Sequence, residues 1–224
     1  MKAAFWHERW EANQLGFHQD EVNPQLVRYW PQLSLSTKAA VFVPLCGKSL
    51  DLHWLREAGH PVHGVELSPI ACRDFFAEAG LEPTITAHRS LERMEAGDFT
   101  IDRGDFFDLQ ASDLARVGAV YDRGSLVALP EDMRQRYANH LIAILPERVS
   151  ILLLTVQYDS ARMKGPPHSV TPSELTAHFG EDFEIERLWT SGPTNPPPRF
   201  RERGLEALSE SVWRIERRRR PELR

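Results

Sequence analysis

Strand-sized apolar runs alternate with helical segments through most of this chain, and that alternation restricts the fold more than any other feature. AAVFVP (Ala39 to Pro44), VHGVEL (Val62 to Leu67) and VSILLLTVQ (Val149 to Gln157) are short, apolar and β-branched, as strands buried on both faces must be. The last is the most apolar and is predicted to be central. Shorter strands are predicted at Phe99 to Asp102 and Ala119 to Asp122. Between them, Ser49 to Ala58 places Leu50, Leu52, Trp54, Leu55 and Ala58 at helical spacing and stops at Gly59. Ser68-Pro69 opens a helix that Gly80 ends, and Glu131 to Leu145 and Ser173 to Phe179, with Ser173 near the cap, read as further helices. Ahead of the first strand, Ala4 to Asn13 and Pro24 to Pro31 read as short helices rich in tryptophan, the second capped by Asn23.

Strands separated by helices imply βαβ units and a mostly parallel α/β sheet with helices on both faces. The ending differs. Phe183 to Trp189 and Leu208 to Glu216 read as strands joined by a Pro-rich loop (Gly192 to Pro198), with no helix between them. Two such strands are antiparallel neighbours. A parallel sheet closed by a C-terminal antiparallel hairpin is the Rossmann-like layout of class I methyltransferases, although a generic doubly wound enzyme shares most of it. With no internal repeat or linker, one domain is predicted: a helical N-terminal lid (1–35), a Rossmann-like core (36–216) and a basic tail (217–224).

Composition excludes several function classes. The net charge is -5, so nucleic acid is not the expected partner, and Arg217 to Arg220 reads as a solvated tail. Cys46 and Cys72 suit free thiols in a reducing compartment, and no Cys/His cluster has zinc-ligand spacing. No apolar run approaches the ~20 residues of a membrane span, and the N-terminus lacks the apolar core of a signal peptide. The expectation is a cytoplasmic protein with no membrane, nucleic-acid or metal partner.

The segment FVPLCGKS (Phe42 to Ser49) ends like a phosphate-binding loop. That motif needs glycine where Phe42 stands, and Pro44 has no N–H to offer a phosphate. Two other readings remain: a plain strand-to-helix turn, or a nucleoside-binding turn at the carboxyl end of a strand, where open α/β sheets bind ligands. Glu66 ends the second strand 19 residues after Gly47, the usual place for a ribose-hydroxyl acceptor. It also reads as a charge favoured at the N-terminus of the next helix. Beside the 44–48 turn, the ribose reading leads.

Two more strand ends carry candidates. Asp105 and Phe106 could border an adenine, or be a loop acid beside a core aromatic. Asp122 and Arg123 could face a ligand, with Arg123 gripping a carboxylate, or pair with other residues.

FWHERWEANQLGFHQ, VFVPLCGKSLDLHWL, VHGVELS, DFFDL, YDRGSLVALP, TVQYD and GPPHSV, in this order, resemble the thiopurine S-methyltransferase family, in its bacterial branch. The likeness runs from about Phe5 to Glu216. It implies a seven-stranded class I methyltransferase sheet and the cofactor S-adenosyl-L-methionine, with S-adenosyl-L-homocysteine as product. By motif, it implies that Trp10 packs on the cofactor, Leu45 lines its methionine side, Glu66 holds the ribose, and Asp105 and Phe106 border the adenine. Arg123 would lie near cofactor and acceptor. Phe17 and Arg199 would face the acceptor, and Pro166 and Pro167 would wall it.

The reaction implied is in-line methyl transfer to an aromatic or heterocyclic thiol. Such a thiol ionises readily and the thiolate is the nucleophile, so no obligatory base is assigned. Arg123 or Arg199 would steady the thiolate. Selenium or tellurium nucleophiles fit the same chemistry, and bacterial relatives are associated with such detoxification. The remaining alternatives are a P-loop-like nucleotide enzyme and a non-catalytic nucleoside-binding module. The expected partner is a small-molecule thiol and the expected state a monomer. Trp6 and Trp10, four apart, share a helical face that either packs on the sheet or closes over the site as a lid.

Overall fold

A computed structural model describes residues 3–16, 18–36 and 38–218. The first half runs α1 (Ala3–Glu11), α2 (Pro24–Tyr29), β1 (Ala40–Val43), α3 (Asp51–Glu57), β2 (Val62–Glu66), α4 (Pro69–Glu78), β3 (Thr84–His88), β4 (Leu91–Ala96) and β5 (Phe99–Arg103). The second half runs β6 (Val117–Arg123), α5 (Glu131–Ile144), β7 (Ser150–Gln157), α6 (Pro172–Phe179), β8 (Phe183–Thr190), α7 (Pro198–Arg201) and β9 (Ser209–Arg217). Among the described residues the strands form one sheet in the order β3-β4-β5-β2-β1-β6-β7-β9-β8.

Strands β5, β2, β1, β6 and β7 are parallel, and β9 inserts antiparallel between β7 and β8. These seven form the predicted parallel core with its terminal hairpin. The sheet nevertheless has nine strands where seven are expected, because β3 and β4 add an antiparallel hairpin to the β5 edge. β7 is interior, between β6 and β9, but β1 holds the middle position. The most apolar strand is thus interior without being central, and β1, like it, is covered on both faces.

Alternate side chains divide between two cores, as the two-residue period of a strand requires. Phe42, Ile151 and Leu153 enter one with Tyr137, Leu141 and Phe179 from α5 and α6. Val41, Val43 and Leu152 enter the other with Leu26, Leu52, Leu55, Phe75 and Phe76 from α2, α3 and α4.

The predicted caps at Asn23 and Ser68 form. Asn23 Oδ1 accepts from the Gln25 N–H at 2.9 Å, and Ser68 Oγ from the Ala71 N–H at 3.3 Å. The cap of α6 is Thr171 rather than Ser173, with Pro172 as the first helical residue. Arg217 is not tail: it ends β9, and its guanidinium donates to the Ile142 carbonyl. Arg218 also bonds, to Asp182 and Gly180, while residues 219–224 lie outside the described residues. The hairpin is clamped to the sheet by charge. Arg93 on β4 forms a paired bond with buried Asp102 on β5, which also meets His63 of β2 at 2.7 Å.

Candidate active site

The strand order reverses between β1 and β6, so their carboxyl ends diverge into the crevice where such sheets bind ligands. Three loops meet there. The loop after β1 is bent at Leu45 (φ 45°) and Gly47 (φ 55°), both left-handed. A leucine adopts that conformation at a cost, which its surroundings must offset. Here the Cys46 N–H donates to the Val65 carbonyl (3.0 Å), and Ser125 Oγ after β6 donates to the Pro44 carbonyl (2.6 Å). Both neighbouring strands thus pin the bend. Cys46 is buried, which pushes its thiol well above the ordinary range, so it is not a poised nucleophile.

Glu66 closes the arrangement. Its Oε2 accepts from the Gly47 N–H (2.8 Å) and its Oε1 from the Ser68 N–H (2.7 Å). Burial raises its pKa, while the N–H bonds oppose that shift. The carboxylate therefore serves the start of α4, one of the two readings the sequence left open, and it also holds the loop after β1. Each oxygen keeps a further lone pair, which suits a diol.

The triphosphate reading fails in the same loop. The Lys48 ammonium pairs with Glu78 of α4, and Ser49 Oγ accepts from Arg123. Neither is presented to a phosphate.

Trp10, 5 % exposed, lies over this loop. A Cβ built on Gly47 would stand 3.5 Å from its ring. Next to it opens a cleft of about 860 Å³ between the N-terminal segment, the loop after β1, α4 and α7, bordered by Arg9, Gly16, His18, Lys48, Glu78 and Arg199 among others. Arg199, on α7, reaches to 3.8 Å from a Cβ built on Gly16. Burial lowers the pKa of Arg199 from its ordinary value and that of His18 likewise, with Lys48 adding to the latter. A second cleft of about 490 Å³ lies at the ends of β2 and β5, bordered by Leu67, Leu91, Arg103 and Gly104.

The other predicted residues are distributed unevenly. Asp105 is exposed at the end of β5, where its carboxylate accepts from the Phe107 N–H (3.0 Å). Phe106 is turned inward and only 4 % exposed, between Phe42 and Tyr137. Its ring is core, so at the sheet edge it offers backbone. Asp122 is buried and accepts from Ser125, Leu126 and Tyr137, as in the pairing alternative. Arg123 bonds Asp51 and Ser49 and keeps 17 % side-chain exposure. Pro166 and Pro167 are half-buried and follow two consecutive cis bonds. Their segment is held by Arg203, which donates to the Lys164 and Pro166 carbonyls, and by the Tyr158 hydroxyl on the Pro167 carbonyl. Phe17 lies outside the described residues. Sequence reasoning gave no role to Asp51 or Arg203, although Asp51 stands within the quoted PLCGKSLD run.

Residues 1–218 match the sequence model of the family described as thiopurine S-methyltransferase. This chain belongs to the thiopurine S-methyltransferase family. It is 48% identical to the thiopurine S-methyltransferase of Pseudomonas paraeruginosa over 217 residues, covering 97% of this chain and all of that one. It is 46% identical to that of Nitrosospira multiformis over 213 residues, or 95% and 97% of the two chains. Among solved structures, an S-adenosylmethionine-dependent methyltransferase from Anabaena variabilis superposes with a TM-score of 0.66 at 15% identity, over 96% of this chain and 95% of that one. That likeness shows the fold, a class I methyltransferase. As a family member, the chain is an S-adenosylmethionine-dependent S-methyltransferase, and the nucleoside-triphosphate alternative has no support.

The residues present fit that cofactor. The end of β2 offers a buried carboxylate for a diol beside a left-handed backbone bend, and the second cleft is bordered by Leu67 and Leu91. Among the described residues no group of three or more His, Cys, Asp or Glu could hold a metal, and no helix is long and apolar enough to cross a membrane.

Proposed function

We propose that this protein methylates the sulfur of aromatic and heterocyclic thiols, thiopurines among them, with the acceptor in the cleft between the N-terminal segment and Arg199. The observation that carries this reading is the position of Glu66. A buried carboxylate at the end of β2 is bonded to the Gly47 loop, beside a cleft bordered by Arg199.

In this reading Glu66 holds the ribose hydroxyls. The backbone of the 44–48 bend, with Leu45, borders the methionine portion. Asp105 and the Phe106 backbone border the adenine, near the Leu67 cleft. Trp10 covers the site and, with residues 1–35 acting as a lid, excludes water. When bound, S-adenosylmethionine supplies the sulfonium methyl and its own leaving group. The protein's contribution is then alignment, for which effective molarities correspond to roughly 7–11 kcal/mol. Arg199 and Arg123 stabilise the thiolate, and Phe17, Pro166 and Pro167 shape the acceptor wall. The protein acts as a cytoplasmic monomer without nucleic acid.

The test is transfer of labelled methyl from S-adenosylmethionine to 6-mercaptopurine and to thiophenol. Labelled S-methyl products are expected. Absence of product with either thiol, despite tight S-adenosylhomocysteine binding, would leave a nucleoside-binding module instead.

A further inference from the structure

Asp51 has no part in the mechanism above, yet its carboxylate is the junction of the site's scaffold. It is the first residue of α3 and is fully buried. A carboxylate removed from water must be bonded on both oxygens to be tolerated. Oδ1 accepts from the backbone N–H of Asn23 at 2.8 Å. Oδ2 accepts from the Tyr121 hydroxyl at 2.9 Å and from Arg123 Nε and Nη2 at 3.2 and 3.0 Å. Arg123 Nη2 also donates to Ser49 Oγ at 3.0 Å, and that hydroxyl accepts from the Asp51 N–H at 3.3 Å.

These partners come from three separate places in the chain. Asn23 caps α2, just after the residues that line the large cleft. Ser49 ends the bend after β1. Tyr121 and Arg123 are the outgoing end of β6. An acid needed only for the dipole of α3 could sit exposed in the first turn. This one is sealed among groups 28 to 72 residues away in sequence.

We propose that Asp51 is a positioning residue: it fixes the guanidinium plane of Arg123 at the edge of the site and, through its other oxygen, anchors the base of the N-terminal segment that covers the cleft. The inference rests on the reading of Arg123 as a residue facing cofactor and acceptor. A long side chain on a strand end samples many rotamers. Two bonds from one guanidinium to one carboxylate oxygen, braced by Tyr121 and Ser49, select one of them. Because Oδ1 and Oδ2 belong to one rigid group, a shift of Asn23 tilts the carboxylate that aims Arg123. Lid base and arginine are therefore set together.

The test is a double-mutant cycle in the full chain, with Arg123→Ala, Asp51→Asn and both together. The readouts are kcat and KM for 6-mercaptopurine and Kd for S-adenosylhomocysteine. Asp51→Asn keeps the shape but turns an NH2 group toward N–H or O–H donors. It is expected to lower kcat/KM on the order of tenfold or more, and to cost less than about twofold further once Arg123 is alanine. Equal losses in both backgrounds would overturn the positioning role. Wild-type behaviour of Arg123→Ala alone would instead overturn the reading of Arg123 on which the inference rests. Cleavage between residues 12 and 22 under limited proteolysis should rise in Asp51→Asn and not in Arg123→Ala; equal protection would overturn the anchoring half. Should Asp51→Asn not fold, Tyr121→Phe and Asp51→Glu take its place. Each keeps the carboxylate but alters how it is braced, and a loss that vanishes in the Arg123→Ala background is again the expected result.

Discussion

The Gly47 N–H and the Glu66 carboxylate, 19 residues apart, are joined by a 2.8 Å hydrogen bond, so the bend after β1 and the end of β2 form one unit. The Ser68 N–H shares the same carboxylate. Glu66→Ala should therefore have two separable effects. Orphaning the buried donors should lower stability by about 1–3 kcal/mol each, and losing the ribose acceptor should weaken S-adenosylhomocysteine binding by about 1.5–3 kcal/mol. Urea denaturation measures the first and calorimetry the second. Reduced stability with unchanged affinity would leave Glu66 as a loop staple alone.

S-adenosylhomocysteine should raise the melting temperature, and ATP with magnesium should not. The stabilisation expected at a hundredfold excess over Kd is about 2.7 kcal/mol. Thermal-shift assays decide the matter. A larger magnesium-dependent shift with ATP would contradict the pairing of Lys48 with Glu78 as the resting use of that lysine.

Trp10 covers Gly47, so its fluorescence should change when the site fills. Trp10→Ala should diminish that change and weaken cofactor binding. Removal of residues 1–18 should leave a folded core that binds cofactor weakly and no longer methylates thiols. Full activity of the truncated protein would rule out the lid, and failure to fold would make the segment part of the core.

Arg199→Ala should raise KM for the thiol or lower kcat, reducing kcat/KM about ten- to a hundredfold, with little change in S-adenosylhomocysteine affinity. Steady-state kinetics beside calorimetry separate these. An equal loss of cofactor affinity would move Arg199 to the cofactor side.

Asp102 gives a pH signature. Burial alone would raise its pKa, but the bonds from Arg93 and His63 outweigh that and hold it at about 2, below the ordinary 3.8. A depressed folded-state pKa stabilises the protein above the unfolded value and is lost as pH falls through the folded one. Roughly 2 kcal/mol should disappear between about pH 4 and pH 2. Asp102→Asn should be less stable at neutral pH and show a shallower acid limb. Parallel acid limbs for both proteins would remove Asp102 from the linkage.

The parallel core was legible because its longer strands are apolar, α4 opens with a proline, and glycines follow α3 and α4. β3 and β4 were not. TITAH lies exposed at the sheet edge, and LERMEA alternates only loosely, so neither makes an apolar run. What fixes β4 to the sheet is its pairing with β5, reinforced by Arg93 on Asp102, and β3 in turn pairs with β4; no apolar pattern announces this. At the site, Glu66 and the Gly47 bend could be read from spacing. Phe106 could not be assigned to core or ligand, because an aromatic after a strand end serves both until its neighbours are known. Asp51 was hidden for a similar reason. An acid in a first helical turn is ordinary, and only the fold reveals Arg123 on its far side.

The insertion of β9 between β7 and β8 bears on how the protein is made. A ribosome delivers β8 before β9, the strand that joins it to the sheet. Until Val212, Trp213 and Ile215 emerge and pair with β7, that edge of the parallel core lies open to water and to other nascent chains. Synthesis can therefore pair the strands from β1 to β7 early, whereas β8 joins the sheet only after β9 leaves the exit tunnel. A translational pause before Ser209 would prolong exposure of an aggregation-prone edge, and a destabilising substitution in β9 would register in cells as lost yield before it registered in a purified enzyme as lost rate.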